Sequence, residues 1–160
     1  MKKRVLFISS TGGHLDELLQ LKAMFDKYDY HIITEKTKAN MSLKEKYPGK
    51  VSYLTYGTYT GLVNKCIYPF KLLWNTIKSF VFYCKYKPQY VISTGAHTAG
   101  PMCLIAHLLG SKVIFIETFA NSNSRSKCGS IVYKFADLFI VQWESMLEQY
   151  PNAVYGGWIF

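Results

Sequence analysis

The chain has 160 residues, of which 49% are hydrophobic and 16% aromatic, and its formal net charge is +9. This length fits one α/β domain, and the hydrophobic fraction excludes a disordered chain. The positive charge calls for an acidic partner, for which nucleic acid, an anionic membrane surface and phosphorylated substrates are all physically reasonable. The four cysteines form no Cys-x-x-Cys pair, so we expect neither a zinc site nor a disulfide framework.

Segments typical of strands alternate with segments typical of helices along the whole chain. Short apolar runs predict parallel strands buried on both faces, at Val5–Ser9, His31–Thr34, Val51–Thr55, Tyr90–Thr94, Lys112–Glu117 and Leu138–Gln142. Helices are predicted between them, at Leu15–Asp26, Ser42–Lys46, Leu62–Tyr86, Pro101–Leu109, Gly129–Phe135 and Ser145–Gln149. This alternation predicts an α/β fold, a Rossmann-like doubly wound parallel sheet, in one domain over residues 1–160. The apolar run after the basic N-terminus is too short for a signal peptide, so we expect a protein that stays in the cytoplasm.

Ligands of such sheets bind in the crevice beyond the carboxyl ends of the strands. The loop after the first strand contains Ser10, Thr11, Gly12, Gly13 and His14. Its two glycines allow a sharp turn and expose amides at a helix N-terminus, an arrangement that suits a phosphate or diphosphate. It is neither a GxGxxG fingerprint nor a P-loop, which argues against classical dinucleotide binding. His14 is either a general base or a residue that caps the helix and lines the pocket.

Two later loops also follow strands and carry polar groups. The loop that contains Thr94, Gly95, His97 and Thr98 again predicts exposed amides before a helix, with His97 as its polar projection. Its small residues are equally explained by tight packing alone. The third loop starts at Glu117, a carboxylate at the end of a buried strand, which is costly unless it is partnered or functional.

Glu117 has two open interpretations at this stage. Its carboxylate either binds sugar hydroxyls or forms a structural pair with Arg125 or Lys127.

The segment Leu62–Tyr86 is long, apolar and aromatic, but Lys65, Lys71 and Lys78 lie inside it. At about 2.5–3.5 kcal/mol for each central lysine, the three together cost on the order of 8–10 kcal/mol in a bilayer, which argues against a membrane-spanning helix. On a helical wheel, one polar stripe lies opposite a broad apolar face; the stripe consists of Asn64, Lys71, Asn75, Lys78 and Lys85.

This wheel is typical of a helix that lies in the membrane interface, with its lysines towards anionic headgroups. We therefore expect membrane contacts from Lys71, Trp74, Lys78 and Phe82. The alternative is a crossover helix that packs its apolar face on the sheet.

Read in order, these segments resemble the acceptor half of MurG-type GT-B glycosyltransferases. The resemblance is closer to the PssD-type, Alg14-like family, whose members contain that half alone. It rests on the loops described above together with Ser93–Pro101, Leu104–Gly110, Val113–Glu117, Phe135–Asp137 and Val141–Trp143. It implies the fold of the N-terminal half of a GT-B enzyme.

The resemblance also implies a function in capsular polysaccharide or exopolysaccharide biosynthesis, that is, in making lipid-linked oligosaccharides. The chain would be one subunit of an inverting UDP-sugar glycosyltransferase, inactive or weakly active alone. It would anchor a donor-binding subunit of the PssE/Alg13 type at the cytoplasmic face of the plasma membrane, as a peripheral protein, and bind a polyprenyl-diphosphate-linked sugar. No metal or other cofactor is expected, because helix amides and partner residues can stabilise the departing diphosphate.

Within this resemblance, the loop with Gly12, Gly13 and His14 matches the one thought to face the acceptor diphosphate. His14 is the candidate base because imidazole titrates near neutral pH. Glu117 matches an acidic residue of the MurG pattern. In that pattern the acidic residue is followed by Gln-Asn, whereas here it is followed by Thr118 and Phe119. We keep Glu117 as a second catalytic candidate.

The apolar end of the chain is expected to contact the partner subunit, where aromatic anchors dominate binding energy. The residues expected to dock there are Trp158, Ile159 and Phe160.

Two other classes of function remain open from the sequence. One is a non-catalytic regulatory Rossmann module that holds a nucleotide, for which Glu35 is the one acid placed to reach a ribose. The other is nucleic-acid binding, suggested by charge alone. We expect no nucleic-acid partner, because the lysines of Leu62–Tyr86 alternate with aromatic residues of a buried type and do not cluster.

Overall fold

The computed structural model describes residues 1–57 and 62–159, with the backbone only for residues 62–66. Its strands are β1 (Arg4–Ser9), β2 (Asp29–Glu35), β3 (Val51–Leu54), β4 (Tyr90–Gly95), β5 (Lys112–Ile116), β6 (Leu138–Val141) and β7 (Val154–Tyr155). Its α-helices are α1 (Gly13–Gln20), α2 (Leu43–Lys46), α3 (Leu62–Tyr86), α4 (Gly100–Leu108), α5 (Lys127–Val132) and α6 (Met146–Gln149). Two 3₁₀ helices, Leu21–Lys27 and Lys38–Asn40, complete the described elements.

The described strands form one parallel sheet with the order β3-β2-β1-β4-β5-β6-β7. This confirms the predicted Rossmann-like doubly wound fold. The first predicted helix, Leu15–Asp26, is instead α1 followed by a 3₁₀ helix. Strand β7 was not predicted, because it has two residues and lies next to Gly156 and Gly157, where no period-two pattern can develop.

Alternation along the strands places side chains on both faces of the sheet. In β1, Leu6 and Ile8 enter one buried cluster, and Val5 and Phe7 enter the other. Helix α4 closes the first cluster with Met102, and α1 closes the second. The sheet is therefore covered on both sides, as a parallel sheet requires.

Helix α3 packs on the protein through its polar side. Asn75 is 3% exposed, accepts a hydrogen bond from the Thr55 N–H and donates one to the Thr55 carbonyl, both at 2.8 Å. These bonds satisfy backbone groups just beyond β3, at the edge of the sheet. Ser79 is also buried, and the Lys78 ammonium donates to the Thr55 hydroxyl at 3.3 Å. Near its C-terminal end, α3 also packs Phe82, Tyr83 and Tyr86 against the core. The crossover packing that the sequence left open is therefore made by these aromatic residues and by the polar side, and not by the apolar face of the helical wheel.

The apolar side of α3 faces outward. Phe70 is 74% exposed and Leu73 61% exposed. We call this surface the outer face of α3; its residues are Ile67, Phe70, Leu73, Trp74, Ile77, Phe80 and Val81. Such an exposed apolar patch on a folded protein marks a contact with a partner or a membrane. Across the described residues, no helix is both long enough and apolar enough to span a bilayer.

The four residues expected to contact a membrane take different positions. Trp74 lies on the outer face of α3, whereas Lys71 and Lys78 are half-buried along its border. Phe82 packs against the core with Tyr86, so the structure places it away from the outer face. The polar stripe thus points towards the protein and the edge of the apolar face, because Asn75 at its centre is bound to β3.

His31 lies at the opposite end of the sheet from the predicted site. Its ring stacks on Tyr86 at 3.8 Å, and its Nε2 lies 2.9 Å from the Ser52 hydroxyl. Burial, assisted by Lys85 and Lys50, lowers the pKa of His31 from 6.5 to about 4. The neutral ring is therefore the form that the folded protein favours.

We expect His31 to make folding sensitive to acid. Between pH 6.5 and about 4 the unfolded chain binds a proton that the folded chain does not, so stability is present above pH 6.5 and is lost as the pH falls towards 4. Replacement His31→Gln should flatten this part of the curve of melting temperature against pH. The exposed His107→Gln is the matched control and should leave the slope unchanged; an unchanged slope in His31→Gln would contradict the assignment.

Candidate functional site

The first two predicted loops meet where β1 and β4 lie side by side. The strand order reverses at this pair, which opens a crevice at their carboxyl ends. The Ser10 N–H donates to the Gly95 carbonyl at 2.8 Å, and the Ala96 N–H donates to the Ser10 hydroxyl at 3.3 Å. The loop after β1 and the loop after β4 therefore form one continuous surface.

His14 joins these loops through two hydrogen bonds with Thr94. Its Nδ1 lies 2.8 Å from the Thr94 carbonyl, and the Thr94 hydroxyl donates to the His14 carbonyl at 2.6 Å. A carbonyl only accepts, so Nδ1 carries the proton and Nε2 keeps its lone pair in the neutral ring. Gly95 leaves room for the ring, since a Cβ there would lie 3.3 Å from two of its atoms. The tautomer is the one that a general base needs.

Glu17, one turn along α1, is a charged neighbour that the sequence analysis missed. Its Oε1 accepts hydrogen bonds from the Thr118 hydroxyl at 2.7 Å and the Phe119 N–H at 3.0 Å. Its Oε2 is buried without a hydrogen-bond partner and lies 3.9 Å from His14 Nδ1. The carboxylate therefore holds the loop after β5 and stabilises a positive charge on His14. The i, i+3 spacing of the two residues on a predicted helix was the available signal.

Glu35, at the end of β2, holds three loops together. Its Oε1 accepts from the Thr98 hydroxyl at 2.7 Å and the Gly57 N–H at 3.3 Å, and its Oε2 accepts from the Thr11 N–H at 3.3 Å. The side chain is almost fully buried. Asn40 donates to the Glu35 carbonyl at 2.7 Å. This carboxylate is therefore occupied by the protein's own donors and does not present itself to a ribose.

The predicted diphosphate-binding residues divide into two groups. Gly12, Gly13 and His97 are exposed, and His97 lines the crevice. The first amides of α1 have no acceptor within the helix. Thr94 and Thr98 are buried and use their hydroxyls on His14 and Glu35. The first group is placed to contact a ligand, and the second shapes the loops.

Ser10 and Thr11 belong with the shaping group. Ser10 is buried and bridges to the second loop. Thr11 is half-buried, and its hydroxyl lies 3.4 Å from the Thr37 hydroxyl and accepts from Asn40 at 3.4 Å. Their side chains are therefore committed to the protein.

Glu117 lies in the wall of the crevice with both oxygens engaged. Its Oε2 accepts from the Tyr150 hydroxyl at 2.8 Å and the Ser126 hydroxyl at 3.0 Å, while Oε1 accepts from the Thr118 N–H at 3.2 Å. A Cβ on Gly129 would lie 2.1 Å from Oε2, so only glycine fits against the carboxylate. Burial and the adjacent Glu117 raise the pKa of the Tyr150 phenol, which stays a donor. A catalytic role for Glu117 stays a prediction; its contacts favour positioning of the start of α5.

Neither candidate partner pairs with Glu117. Arg125 instead donates to the Gln149 carbonyl and lies over the Tyr150 ring at 5.0 Å. Lys127 is exposed at the rim of the crevice. Among the ion pairs of the described residues, none includes Glu117.

The crevice has a volume of about 300 Å³ and is lined by all three predicted loops. His14 and Gly95 form one side, Glu117 and Thr118 the other, and Lys127 stands at the rim. In residues 1–57 and 62–159, no three His, Cys, Asp or Glu side chains come together as a metal site requires.

The aromatic residues near the chain end form a cluster beside the crevice. Trp158 is exposed and contacts the rings of Phe119 and Trp143 at 5.5 and 6.0 Å. The Trp143 indole donates to the Phe119 carbonyl at 2.7 Å, which ties the cluster to the loop after β5. Ile159 packs against the protein's own core, and Phe160 lies outside the described residues. Of the two predicted docking residues that the structure describes, Trp158 is the exposed one.

Comparison with solved structures supports the fold. The crystal structure of MurG from Acinetobacter baumannii matches with a TM-score of 0.70 and 21% identity, over 89% of this chain and 42% of that one. The chain thus corresponds to less than half of the MurG chain. At this level of identity the match establishes the fold alone.

Comparison of sequences identifies the family. The UDP-N-acetylglucosamine transferase subunit ALG14 of Homo sapiens is 28% identical over 96% of this chain and 81% of its own length. The subunit of the same name from Schizosaccharomyces pombe is 28% identical over 98% of this chain and 83% of its own length. The family model described as "Oligosaccharide biosynthesis protein Alg14 like" matches residues 63–159, which is more than half of the chain. The resemblance noted in the sequence is therefore confirmed: this chain belongs to the Alg14-like family of oligosaccharide biosynthesis proteins.

Proposed function

We propose that this chain is the acceptor-binding subunit of a two-component UDP-sugar glycosyltransferase. A separate donor-binding subunit of the PssE/Alg13 type supplies the UDP-sugar, and this chain binds a polyprenyl-diphosphate-linked sugar at the cytoplasmic face of the plasma membrane. The product is a lipid-linked oligosaccharide for capsular polysaccharide or exopolysaccharide. Relatives that align with this chain over more than four fifths of their own length are named as subunits of a UDP-N-acetylglucosamine transferase, which supports the two-component design.

The observation that carries the proposal is the geometry of His14. Its Nε2 is the unprotonated nitrogen of the neutral ring, and His14 directly follows Gly12 and Gly13, which are exposed at the start of α1. Amides at a helix start favour the acceptor diphosphate, because their partial positive charge complements it. A hydroxyl of the attached sugar then lies within reach of a base.

In the proposed reaction the acceptor hydroxyl attacks the anomeric carbon of the UDP-sugar, and UDP leaves with inversion. His14 Nε2 accepts the hydroxyl proton as the new glycosidic bond forms. The imidazolium so produced is stabilised by the Thr94 carbonyl at 2.8 Å and by Glu17 Oε2 at 3.9 Å from Nδ1. Glu117 and Glu35 act through the loops that they position.

The proposal also assigns the outer face of α3 to the membrane. Apolar side chains project along the outer face of α3, and half-buried Lys71 and Lys78 border it. Lys71 at this border extends its ammonium group to anionic headgroups while the apolar side chains enter the interface, whereas Lys78 also donates to the Thr55 hydroxyl. The net charge of +9 also favours binding to an anionic membrane surface.

The regulatory nucleotide-binding alternative finds less support. Glu35, its one candidate for the ribose, is buried and accepts three hydrogen bonds from protein groups. A ribose hydroxyl would have to displace one of them.

The two-component design predicts that activity requires both proteins. Membranes that carry a polyprenyl-diphosphate sugar should incorporate radiolabelled sugar from UDP-sugars far more strongly with both subunits than with either alone. Inverted product stereochemistry is expected by nuclear magnetic resonance. Undiminished transfer by the donor-binding subunit alone, or no transfer in any combination, would reject the proposal.

Replacement His14→Gln should lower kcat by about 10²–10⁴-fold with little change in KM for the acceptor, because the proton acceptor is removed. Steady-state kinetics of the two-subunit enzyme measure the effect. The exposed His107→Gln, on α4, is the matched control and should keep full activity. Full kcat in His14→Gln would assign the base to the partner subunit.

Replacement of Phe70 and Leu73 by serine should weaken binding to vesicles of anionic phospholipid by roughly tenfold or more. Each apolar side chain that enters the interface contributes up to about 1.5–3 kcal/mol. Vesicle sedimentation measures the partition. The double variant Met41→Gln with Val154→Gln removes exposed apolar groups elsewhere and should bind as wild type; equal binding by both variants would contradict a membrane role for α3.

A further inference from the structure

An apolar groove of about 400 Å³ lies beside the crevice, between α3, α4 and α5. The chemistry proposed for His14 does not use it. Most of its lining is hydrocarbon, and the residues that form its walls are Tyr68, Leu72, Thr76, Pro101, Leu104, Ile105, Leu108 and Ile131. Leu104 is 45% exposed and Ile131 61% exposed, so the groove is open along its length.

Helix α4 gives the groove its direction. Pro101, Leu104, Ile105 and Leu108 recur at i, i+3, i+4 and i+7 and form one apolar stripe. Seven residues of helix rise by about 10 Å, so the stripe has the length of a short extended hydrocarbon chain. At its far end Leu108 is strongly exposed.

The two ends of the groove differ in chemistry. At the inner end, His97, Lys127 and Cys128 line both the groove and the crevice, so the two spaces are continuous. His97 and Lys127 are exposed and offer N–H donors to an anion at this junction. On the α3 wall, Leu72 is followed by Leu73, which lies on the outer face of α3. The groove therefore leads from a basic site to the apolar surface.

We propose that this groove binds the first isoprene units of the acceptor's polyprenyl chain. The diphosphate then lies in the crevice between the amides at the start of α1 and the side chains of His97 and Lys127. The sugar points towards His14, and the polyprenyl chain leaves along α4 towards the membrane. This assignment rests on the proposed function, because the crevice must hold the acceptor sugar. The groove also explains how an active site outside the bilayer can act on a lipid-linked substrate. The first isoprene units leave the membrane and lie in the protein groove.

An amphiphile fits this groove better than a partner's peptide segment does. A peptide would bury backbone N–H and C=O groups along a wall whose described side chains offer mostly hydrocarbon, and each unsatisfied group is costly. A prenyl chain has no such groups. Its anionic head also complements the basic inner end of the groove.

Direct binding of soluble prenyl diphosphates tests the groove without the donor-binding subunit. Isothermal titration should give an affinity that rises from inorganic diphosphate to geranyl diphosphate to farnesyl diphosphate. The double variant Leu104→Gln with Ile131→Gln should weaken the binding of farnesyl diphosphate by about tenfold or more, because the introduced amides lose their hydration in an apolar contact. Its affinity for inorganic diphosphate should not change. Both side chains are partly exposed, so the melting temperature should stay close to wild type.

The matched control is Met41→Gln with Val154→Gln, at 52% and 51% exposure, and it should bind farnesyl diphosphate as wild type. No dependence on chain length, or wild-type affinity in the groove variant, would overturn the assignment. If the double variant Phe70→Ser with Leu73→Ser lost as much affinity for farnesyl diphosphate as the groove variant, the prenyl chain would lie on the outer face of α3. That result would overturn the assignment too. If both subunits transfer sugar while the groove variant binds normally, the groove assignment alone fails and the proposed function stands.

Discussion

The reciprocal hydrogen bonds between His14 and Thr94 are the constraint on which the site depends. They join the start of α1 to the end of β4 across the point where the strand order reverses. Because the acceptor at Nδ1 is a carbonyl, they also determine which ring nitrogen is free. The same contact therefore joins the two loops at the crevice and sets the tautomer of its candidate base.

Buried carboxylates extend this constraint to the surrounding loops. Glu35 holds the loops after β1, β3 and β4 through three donors, and Glu17 and Glu117 hold the loop after β5 and the start of α5. None of these three carboxylates forms an ion pair with a lysine or arginine among the described residues. Their charge is instead met by hydroxyl and amide donors, and such charge-assisted hydrogen bonds are the strong ones. These hydrogen bonds restrain the loops, as the proposed binding of an acceptor in the crevice requires.

Helix α3 reverses the usual arrangement of an amphipathic helix on a sheet. Its polar side binds the sheet edge through Asn75, and its C-terminal aromatic residues, Phe82, Tyr83 and Tyr86, pack on the core. The apolar side chains of the outer face of α3 are left exposed. The exposed apolar area is therefore a product of how the helix docks. In the proposed function this surface, the groove along α4 and the crevice form one path from lipid to reacting sugar.

The order of elements was determined by the sequence itself. Parallel strands buried on both faces appear as short apolar runs, and the glycines of the first loop require a tight turn, so the fold, the strand positions and the loops were predictable from local patterns. The amphipathic period of α3 was also visible in the sequence, but the sequence left open which side of the helix faces the protein. That choice depends on the unpaired backbone of Thr55, which lies 20 residues away from Asn75 in the chain.

Only the tertiary structure decided the roles of individual polar side chains. Thr98 and Glu35 are separated by 63 residues, and Tyr150 and Glu117 by 33, so no local pattern shows that these groups satisfy one another. Residues predicted to contact ligand, such as Thr94 and Thr98, are instead bound to the protein, and Glu17, which the sequence analysis missed, faces His14. The physical reason is that a buried polar group takes the donor or acceptor that the fold brings nearest, and that neighbour is set by packing between distant segments.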